Sequence, residues 1–174
     1  MKVSSTGSPI SSFTTRISSA PSGAPCAAAV SVNLGDGDLQ EGVSHEAASL
    51  AGHLGLGRLV VVYDDNHISI DGPTELSYTD VVPERFRAYG WHVVEIGEAA
   101  NDCDAIEAGV RAAMAETDRP SIVILRSHIG WPSPKYTDTS DAHGAPLGAD
   151  EVAAVKEILG LPAEDFAVPA AVID

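Results

Sequence analysis

The sequence predicts an α/β fold built on a doubly wound parallel sheet. Short, continuous apolar segments alternate along the chain with amphipathic segments of helical period, and glycine, proline and polar turn residues separate them. Runs of β-branched residues such as RLVVVY (58–63) are typical of strands buried on both faces of a parallel sheet. Ligands of such sheets bind beyond the carboxyl ends of the strands, so the residues after each strand are the candidates for function.

The first two elements begin at about residue 26. The apolar run CAAAVSV (26–32) predicts a buried strand, and the segment 41–56 predicts a helix because its apolar residues recur on one face. The residues of this face are Val43, Ala47, Leu50, Ala51 and Leu54. Gly55 and Gly57 are placed to end the helix.

The remaining elements continue the alternation. The strand at 58–63 leads into a loop at 64–74, and DVVPERFRAYG (80–90) predicts a short helix. A longer helix is predicted at 104–117, where the apolar residues on one side are Ile106, Val110 and Met114. The other elements are strands at 91–96 and 121–127, a loop at 128–148 and a helix at 149–159.

Composition excludes several classes of partner. The 174 residues suffice for one domain with a core. The formal net charge of −15 argues against nucleic acid as a partner, because phosphate contacts need a basic face. Cys26 and Cys103 are too far apart to indicate a disulfide framework or a zinc site, and no apolar run approaches the ~18 residues of a membrane helix. We therefore expect a cytoplasmic protein that does not contact a membrane.

The amino-terminal segment differs in composition from the rest. Residues 1–35 contain no Asp or Glu, whereas every acidic residue lies from Asp36 onward. Residues 1–25 also lack an apolar period, so we expect a low-complexity or disordered tail there; a transit peptide and sequence foreign to the fold are the alternatives. The domain itself is expected over 26–160, followed by a C-terminal tail over 161–174.

The segment GDGDLQEG (35–42) places an acid between two glycines directly after the first strand. Such glycines suit a tight turn, or the close approach of the backbone to a phosphate. Asp36 and Asn66 follow adjacent strands, so we expect their oxygens to lie near enough to share one Mg²⁺ ion with a diphosphate. The backbone carbonyl of Ile68 is a further candidate ligand.

Three other motifs in the sequence are incomplete. The third glycine of G-x-G-x-x-G is displaced, which disfavours a dinucleotide site, and HEAAS has Ser49 where a zinc-binding helix needs its second histidine. His45 and Glu46 are therefore expected on a polar helix face. The segment DDNHISIDG lacks the glycine and glutamate spacing of a calcium loop, and we expect Asp64 and Asp65 to be solvated or capping acids.

His143 lies in the turn-rich stretch DAHGAPLG. A loop histidine is most often solvated, which is one interpretation here. The loop also begins at the sheet end where Asp36 and Asn66 are expected, so the imidazole is placed to handle a hydroxyl or an oxyanion of a ligand. Both interpretations stay open on these grounds.

These segments together resemble transketolases. The similarity runs from about residue 33 to about 160, through GDGDLQEGVSHEAASLAGHLGLGRLVVVYDDNHISIDG, RFRAYGWHVV, DRPSIVILRSHIG and DAHGAPLG. The GDG…N pattern is shared by many thiamine diphosphate enzymes, whereas YDDNHISIDG and HGAPLG are similar to transketolase in particular. The resemblance implies an incomplete thiamine diphosphate-binding fold.

The resemblance also implies how the cofactor is held. Asp36, the Asn66 side chain and the Ile68 carbonyl match ligands of Mg²⁺ or Ca²⁺, and this ion holds the diphosphate of thiamine diphosphate. Gly37 matches the residue that lets the backbone approach the diphosphate.

Three further positions match functional residues of the family. Ile70 matches a residue that packs against the cofactor, and Glu41 matches an acid near the dimer interface that links paired active sites. His143 matches a catalytic histidine that faces the cofactor and the donor substrate. The implied reaction transfers a two-carbon ketol unit from a ketose to an aldose phosphate by the cofactor's own chemistry.

Transketolases also have parts that this sequence does not match. A further α/β stretch with substrate-binding histidines precedes the first strand, and a second domain binds the aminopyrimidine and supplies the glutamate that activates it. We therefore expect a fragment with half a cofactor site, which works with a pyrimidine-domain chain or a homodimer partner and is inactive when isolated. The alternatives are a non-catalytic remnant of a transketolase, and a related enzyme such as dihydroxyacetone synthase or deoxyxylulose phosphate synthase.

Overall fold

The computed structural model describes residues 14–17, 29–98, 100–168 and 172 of the chain. Most of the predicted tail at 1–25 lies outside these residues. The part of the tail that is described, Thr14–Ile17, forms a short strand.

The described chain divides into two compact units. The described residues of the first unit lie within Met1–Asn66 and Ser77–Ser127 and include the main sheet. The second comprises His67–Leu76 and His128–Asp174 and contains a small hairpin and the last helix.

The described residues form seven strands. They are β1 (Thr14–Ile17), β2 (Ala29–Gly35), β3 (Leu59–Asp65), β4 (Ile68–Ser69), β5 (Gly72–Pro73), β6 (His92–Glu95) and β7 (Ser121–Arg126). In the first unit, five of these form one sheet with the order β1-β2-β3-β7-β6. β2, β3, β7 and β6 run parallel, and β1 adds an antiparallel edge beside β2. In the second unit, β4 and β5 form an antiparallel hairpin.

Helices cover both faces of the main sheet. The helices are α1 (Asp36–Gln40), α2 (Gly42–His53), α3 (Val82–Ala88), α4 (Cys103–Ala115) and, in the second unit, α5 (Ala149–Ile158). Val61 and Tyr63 of β3 pack with residues of α1, α2 and α3, whereas Val60 packs with Ala113 of α4. Because strand side chains alternate between faces, α1–α3 lie on one face and α4 on the other. The predicted doubly wound α/β fold is confirmed.

The predicted helices and strands from residue 41 onward each have a counterpart in the structure. Residues 26–28 of the predicted first strand at 26–32 lie outside the described residues, and its remainder lies in β2, which extends further to Gly35. The prediction of a plain loop at 64–74 is wrong in part, since it contains the end of β3 and the β4–β5 hairpin. Along the described chain, helices are too short or too polar to cross a membrane.

The buried face of α2 differs from the prediction. Ala48 and Ala51 are buried, whereas Val43, Leu50 and Leu54 are 68%, 56% and 58% exposed. Of the predicted apolar face, only Ala51 is buried in the core, so the prediction for this face is wrong.

Contacts with the segment before β6 explain which face of α2 points toward the core. The Trp91 Nε1–H donates to the carbonyl oxygen of Ala48 at 2.8 Å. A Cβ atom added to Gly52 would lie 1.9 Å from the carbonyl oxygen of Tyr89. Only small side chains fit at such an approach, so α2 presents alanine and glycine to the core and its larger apolar residues outward.

Helix α4 repeats this arrangement on the other face of the sheet. Gly109 is buried, and a Cβ atom there would lie 2.8 Å from Cγ2 of Ile96. Of the predicted apolar side of this helix, Ile106 and Val110 are half-buried but Met114 is exposed. The prediction therefore fails for Met114.

Substitution of Gly52 tests the close packing of α2. We expect Gly52→Ala to lower the free energy of unfolding by about 1–3 kcal/mol, the usual cost of an overpacked core, because the new methyl group meets the Tyr89 carbonyl. The control is Gly42→Ala in the same helix, where an added Cβ meets no atom within 4 Å. Urea denaturation, monitored by circular dichroism, measures the free energy of unfolding of both variants. Equal stabilities of the two variants would contradict the close contact of Gly52 with Tyr89.

Candidate functional site

Asp36 lies where two neighbouring strands end. β2 and β3 pair in parallel with Gly35 opposite Asp64, and Asp36 begins α1 immediately after β2. The turn is stabilised locally, because the Gly35 N–H donates to Oδ2 of Asp38 at 2.9 Å. Leu39 anchors the short helix in the core. The Asp36 side chain is held in this turn at only 3% exposure.

Both oxygens of the Asp36 carboxylate accept hydrogen bonds. The Tyr63 hydroxyl donates to Oδ1 at 2.5 Å, and the backbone N–H of Asn66 donates to Oδ2 at 3.2 Å. The expected convergence of Asp36 and Asn66 at one edge of the sheet is therefore confirmed. The sequence pattern does not single out Tyr63, because a tyrosine within an apolar strand has the pattern of a core residue. The available signal was its position near the carboxyl end of β3.

The Tyr63 hydroxyl remains protonated and acts as a donor. Burial, followed by the contact with the Asp36 carboxylate, raises the pKa of Tyr63 above its usual range. Oδ1 of Asp65 lies 3.0 Å from the same hydroxyl. One proton thus lies between two carboxylates, with the shorter distance to Asp36.

Further polar contacts join the ends of β3 and β7. Nδ2 of Asn66 donates to Oδ2 of Asp64 at 3.4 Å, and the Ser127 hydroxyl donates to Oδ1 of Asp64. The Arg126 guanidinium donates to the backbone carbonyls of Asp65 and Ser127, each at 2.8 Å. Asp64 and Asp65 are therefore residues of a strand end with side-chain partners, and not the loop acids that the sequence predicts.

The oxygen atoms of Asp36 and Asn66 are suitable ligands for a divalent cation that prefers oxygen. Asp36 supplies a carboxylate, and because the amide nitrogen of Asn66 faces Asp64, its amide oxygen is the atom that can ligate an ion. Among the residues described, no three or more His, Cys, Asp or Glu side chains form a group able to hold a metal. A cation here would depend on amide, carbonyl and external oxygens, which suits Mg²⁺ bound with phosphates and water.

Gly35 and Gly37 are not required by the fold of the described chain. Neither glycine has a positive φ, and a Cβ atom added to either would meet no described atom within 4 Å. Tight packing and unusual backbone geometry, the two common structural reasons for glycine, therefore do not apply. Open space above the backbone is what the close approach of a ligand requires.

A comparison with protein families identifies this architecture. The family described as the thiamine diphosphate-binding domain of transketolase matches residues 17–174. The chain belongs to this family. The transketolase of Nostoc sp. is 48% identical over 143 residues, and Transketolase 1 of Vibrio cholerae is 51% identical over 139 residues. These alignments cover 82% and 80% of this chain but 21% of each relative, so the chain spans about a fifth of their length.

Solved transketolase structures share the fold of the matched region. A Pichia stipitis transketolase in complex with sedoheptulose 7-phosphate has a TM-score of 0.79 and 49% identity to this chain. The Leishmania mexicana transketolase has a TM-score of 0.79 and 39% identity. Each comparison covers 82% of this chain and 21% of the other. The resemblance to transketolases that the motifs predict is therefore confirmed.

Three residues with predicted transketolase roles lie in the second unit. Ile68 lies in β4, and Ile70 is exposed in the turn between β4 and β5. His143 is exposed and follows the 3₁₀ turn Ser140–Ala142. The carbonyl of Ile68 as a metal ligand, Ile70 as a cofactor contact and His143 as a catalytic residue stay predictions.

The start of α2 carries the remaining predicted residues. Glu41 is exposed between α1 and α2, and its transketolase role near a subunit interface stays a prediction. Glu46 is exposed, as expected for a polar helix face. His45 is half-buried instead, with Nδ1 3.2 Å from the Tyr89 hydroxyl and Nε2 3.2 Å from Nη1 of Arg85. His45 therefore connects α2 to α3.

Substitution of Gly37 separates folding from ligand binding. We expect Gly37→Ala to leave the free energy of unfolding equal or higher, because the methyl group meets no described atom and alanine favours a helix over glycine by up to ~1 kcal/mol. We expect binding of thiamine diphosphate with Mg²⁺, measured by calorimetry, to weaken by about 1–3 kcal/mol, because the methyl group would occupy the space predicted for the diphosphate. Gly42→Ala, which is also open, is the control and should bind like the wild type. Unchanged binding by Gly37→Ala would show that no ligand approaches this glycine.

Proposed function

We propose that this chain binds thiamine diphosphate through a divalent cation and forms half of a transketolase active site. The main support is the buried Asp36 carboxylate, which lies beside the backbone of Asn66 and between two glycines that the fold does not require. A tight turn alone needs neither a buried carboxylate nor open space above both glycines.

The cation in this proposal is Mg²⁺ or Ca²⁺. Asp36, the Asn66 amide oxygen and the Ile68 carbonyl would hold it, with Gly37 leaving room for the diphosphate. All three ligands are oxygen atoms, which both ions prefer. Because the protein supplies a single carboxylate in this set, phosphates of the cofactor would provide much of the remaining negative charge.

The chemistry assigned to the site belongs largely to the cofactor. When bound, thiamine diphosphate supplies the carbanion chemistry that cleaves the carbon–carbon bond beside a ketose carbonyl. Ile70 would pack against the cofactor. His143 would hold or move a proton at a substrate hydroxyl, because an imidazole can donate and accept near neutral pH.

Sugar phosphates are the proposed substrates. Two Pichia stipitis transketolase structures similar to this chain are complexes with sedoheptulose 7-phosphate and fructose 6-phosphate. The proposed reaction moves a two-carbon ketol unit from such a ketose to an aldose phosphate. The alternative, a non-catalytic remnant of a transketolase, is tested by the ketol-transfer assay.

The proposed site needs a second chain. α2 presents Val43, Leu50 and Leu54 to solvent, and contiguous exposed apolar surface marks interaction sites. Glu41 precedes the same helix, and the resemblance to transketolases predicts that it lies near a dimer interface. We propose that this face of α2 packs against a homodimer partner or a chain with the pyrimidine domain. A cytoplasmic location stays a prediction.

A ketol-transfer assay distinguishes an enzyme component from a remnant. We expect the purified chain alone to be inactive with Mg²⁺ and thiamine diphosphate in excess, because the reactive end of the cofactor would be left in water without orientation. We expect turnover after addition of a pyrimidine-domain chain from a transketolase, and its loss with Asp36→Ala.

Three other outcomes of these measurements would change the interpretation. Turnover by the chain alone that Asp36→Ala abolishes would contradict the need for a second chain. Calorimetry of the wild-type chain that detects no binding of thiamine diphosphate with Mg²⁺ would contradict the cofactor assignment. Binding without turnover in any mixture would favour the remnant.

Substitution of Leu50 tests the proposed interface on α2. We expect Leu50→Glu to weaken association by about 1–3 kcal/mol or more, because it places a charge in an apolar contact. The matched control is Met114→Glu, which changes an exposed apolar residue on α4, across the sheet. Sedimentation velocity of the chain alone measures homodimer formation, and the same run with the pyrimidine-domain chain measures the mixed complex. Equal association of both variants would place the interface elsewhere.

A further inference from the structure

Tyr63 brings a hydroxyl group into the core of the first unit. The residue is 2% exposed and packs with apolar residues that include Leu39, Val61 and Ile122. Its hydroxyl donates to Oδ1 of Asp36 at 2.5 Å and lies 3.0 Å from Oδ1 of Asp65. Phenylalanine would fill the same apolar space, so the hydroxyl needs an explanation besides packing.

The hydroxyl has one proton for two carboxylates, and the distances assign it to Asp36. A separation of 2.5 Å is typical of an O–H···O⁻ hydrogen bond, whereas 3.0 Å is at the long limit for a hydroxyl donor. The Asn66 N–H meets the other oxygen of Asp36 at 3.2 Å. Donors on both oxygens restrict the rotation of the carboxylate group. Each carboxylate oxygen carries two lone pairs, so an accepted hydrogen bond does not prevent it from ligating a cation.

We propose that Tyr63 is a positioning residue whose hydroxyl orients the Asp36 carboxylate toward a divalent cation. This inference rests on the proposed function, because it requires Asp36 to be a metal ligand. The competing explanation is that the hydroxyl only compensates the burial of Asp36. Such a role would affect folding but would leave the metal affinity of the folded chain unchanged.

The two explanations differ in the size of one measurable effect. A carboxylate that rotates must lose that freedom when it binds a cation, and Mg²⁺ accepts little departure from octahedral geometry. Groups that hydrogen-bond to metal ligands typically contribute 10–100-fold to metal affinity. We therefore expect Tyr63→Phe, which removes no ligand, to weaken metal binding by about 10–100-fold.

A titration of the full chain with Mn²⁺ provides the test. Electron paramagnetic resonance counts the free ion, and far-ultraviolet circular dichroism establishes that each variant is folded. The variants are Tyr63→Phe, Asp36→Asn and, as the matched control, Tyr89→Phe. Tyr89 is in the same unit, but its hydroxyl contacts His45 at 3.2 Å and not a carboxylate at a strand end.

The outcomes separate this inference from the proposed function. Weaker Mn²⁺ binding by Tyr63→Phe, with wild-type binding by Tyr89→Phe, supports the positioning role. Binding that Asp36→Asn abolishes but Tyr63→Phe leaves unchanged overturns the role and leaves the proposed function intact. A wild-type chain that binds no Mn²⁺, or binds it equally with Asp36→Asn, overturns the proposed metal site and this inference with it.

A second measurement applies even if Tyr63→Phe does not fold. Binding of Mg²⁺ draws charge from the Asp36 carboxylate and weakens its hydrogen bond with Tyr63, so we expect a blue shift in the near-ultraviolet tyrosine absorbance. The shift should persist in Tyr89→Phe and disappear in Asp36→Asn. Calorimetry establishes when the chain is saturated with Mg²⁺. If the tyrosine absorbance does not change at saturation, the positioning role is overturned.

Discussion

The parallel register of β2 and β3 is the constraint on which the candidate site depends. Gly35 lies opposite Asp64, so Asp36 and Asn66 reach the same edge of the sheet and Tyr63 points to the face covered by α1–α3. A slip of one residue would turn Tyr63 to the opposite face and remove its hydroxyl from Asp36, because strand side chains alternate. The pairing that buries the core therefore also positions the site.

The electrostatics of the site follow from this geometry. Burial of a carboxylate costs several kcal/mol, and a hydrogen bond to a charged group returns about 1.5–3 kcal/mol. The Tyr63 hydroxyl and the Asn66 N–H together offset a cost of that size for Asp36. Asp64 and Asp65 add negative charge at the end of the adjacent strand, and this charge attracts a cation.

Close packing of the helices connects folding with assembly. Gly52 on α2 and Gly109 on α4 lie so near their neighbours that a methyl group would clash. Small residues therefore face the sheet, and Val43, Leu50 and Leu54 of α2 are left outside. In an amphipathic helix of an isolated domain the larger apolar residues normally face the core. Their outward position on α2 agrees with the proposal of a partner chain.

The sequence alone determined the α/β class, the alternation of the main helices and strands from β2 to α5, and the meeting of Asp36 with Asn66. These follow from local patterns, because apolar periodicity defines each element and parallel strands end at one edge of the sheet. Only the tertiary structure decided the orientation of α2 and the role of Tyr63. Periodicity indicates which residues share a face but not which face meets the core, and for α2 that depends on the approach of Gly52 to Tyr89, which is distant in sequence. In the same way, the role proposed for the Tyr63 hydroxyl depends on the fold, which brings Asp36, the residue after the neighbouring strand β2, within hydrogen-bonding distance.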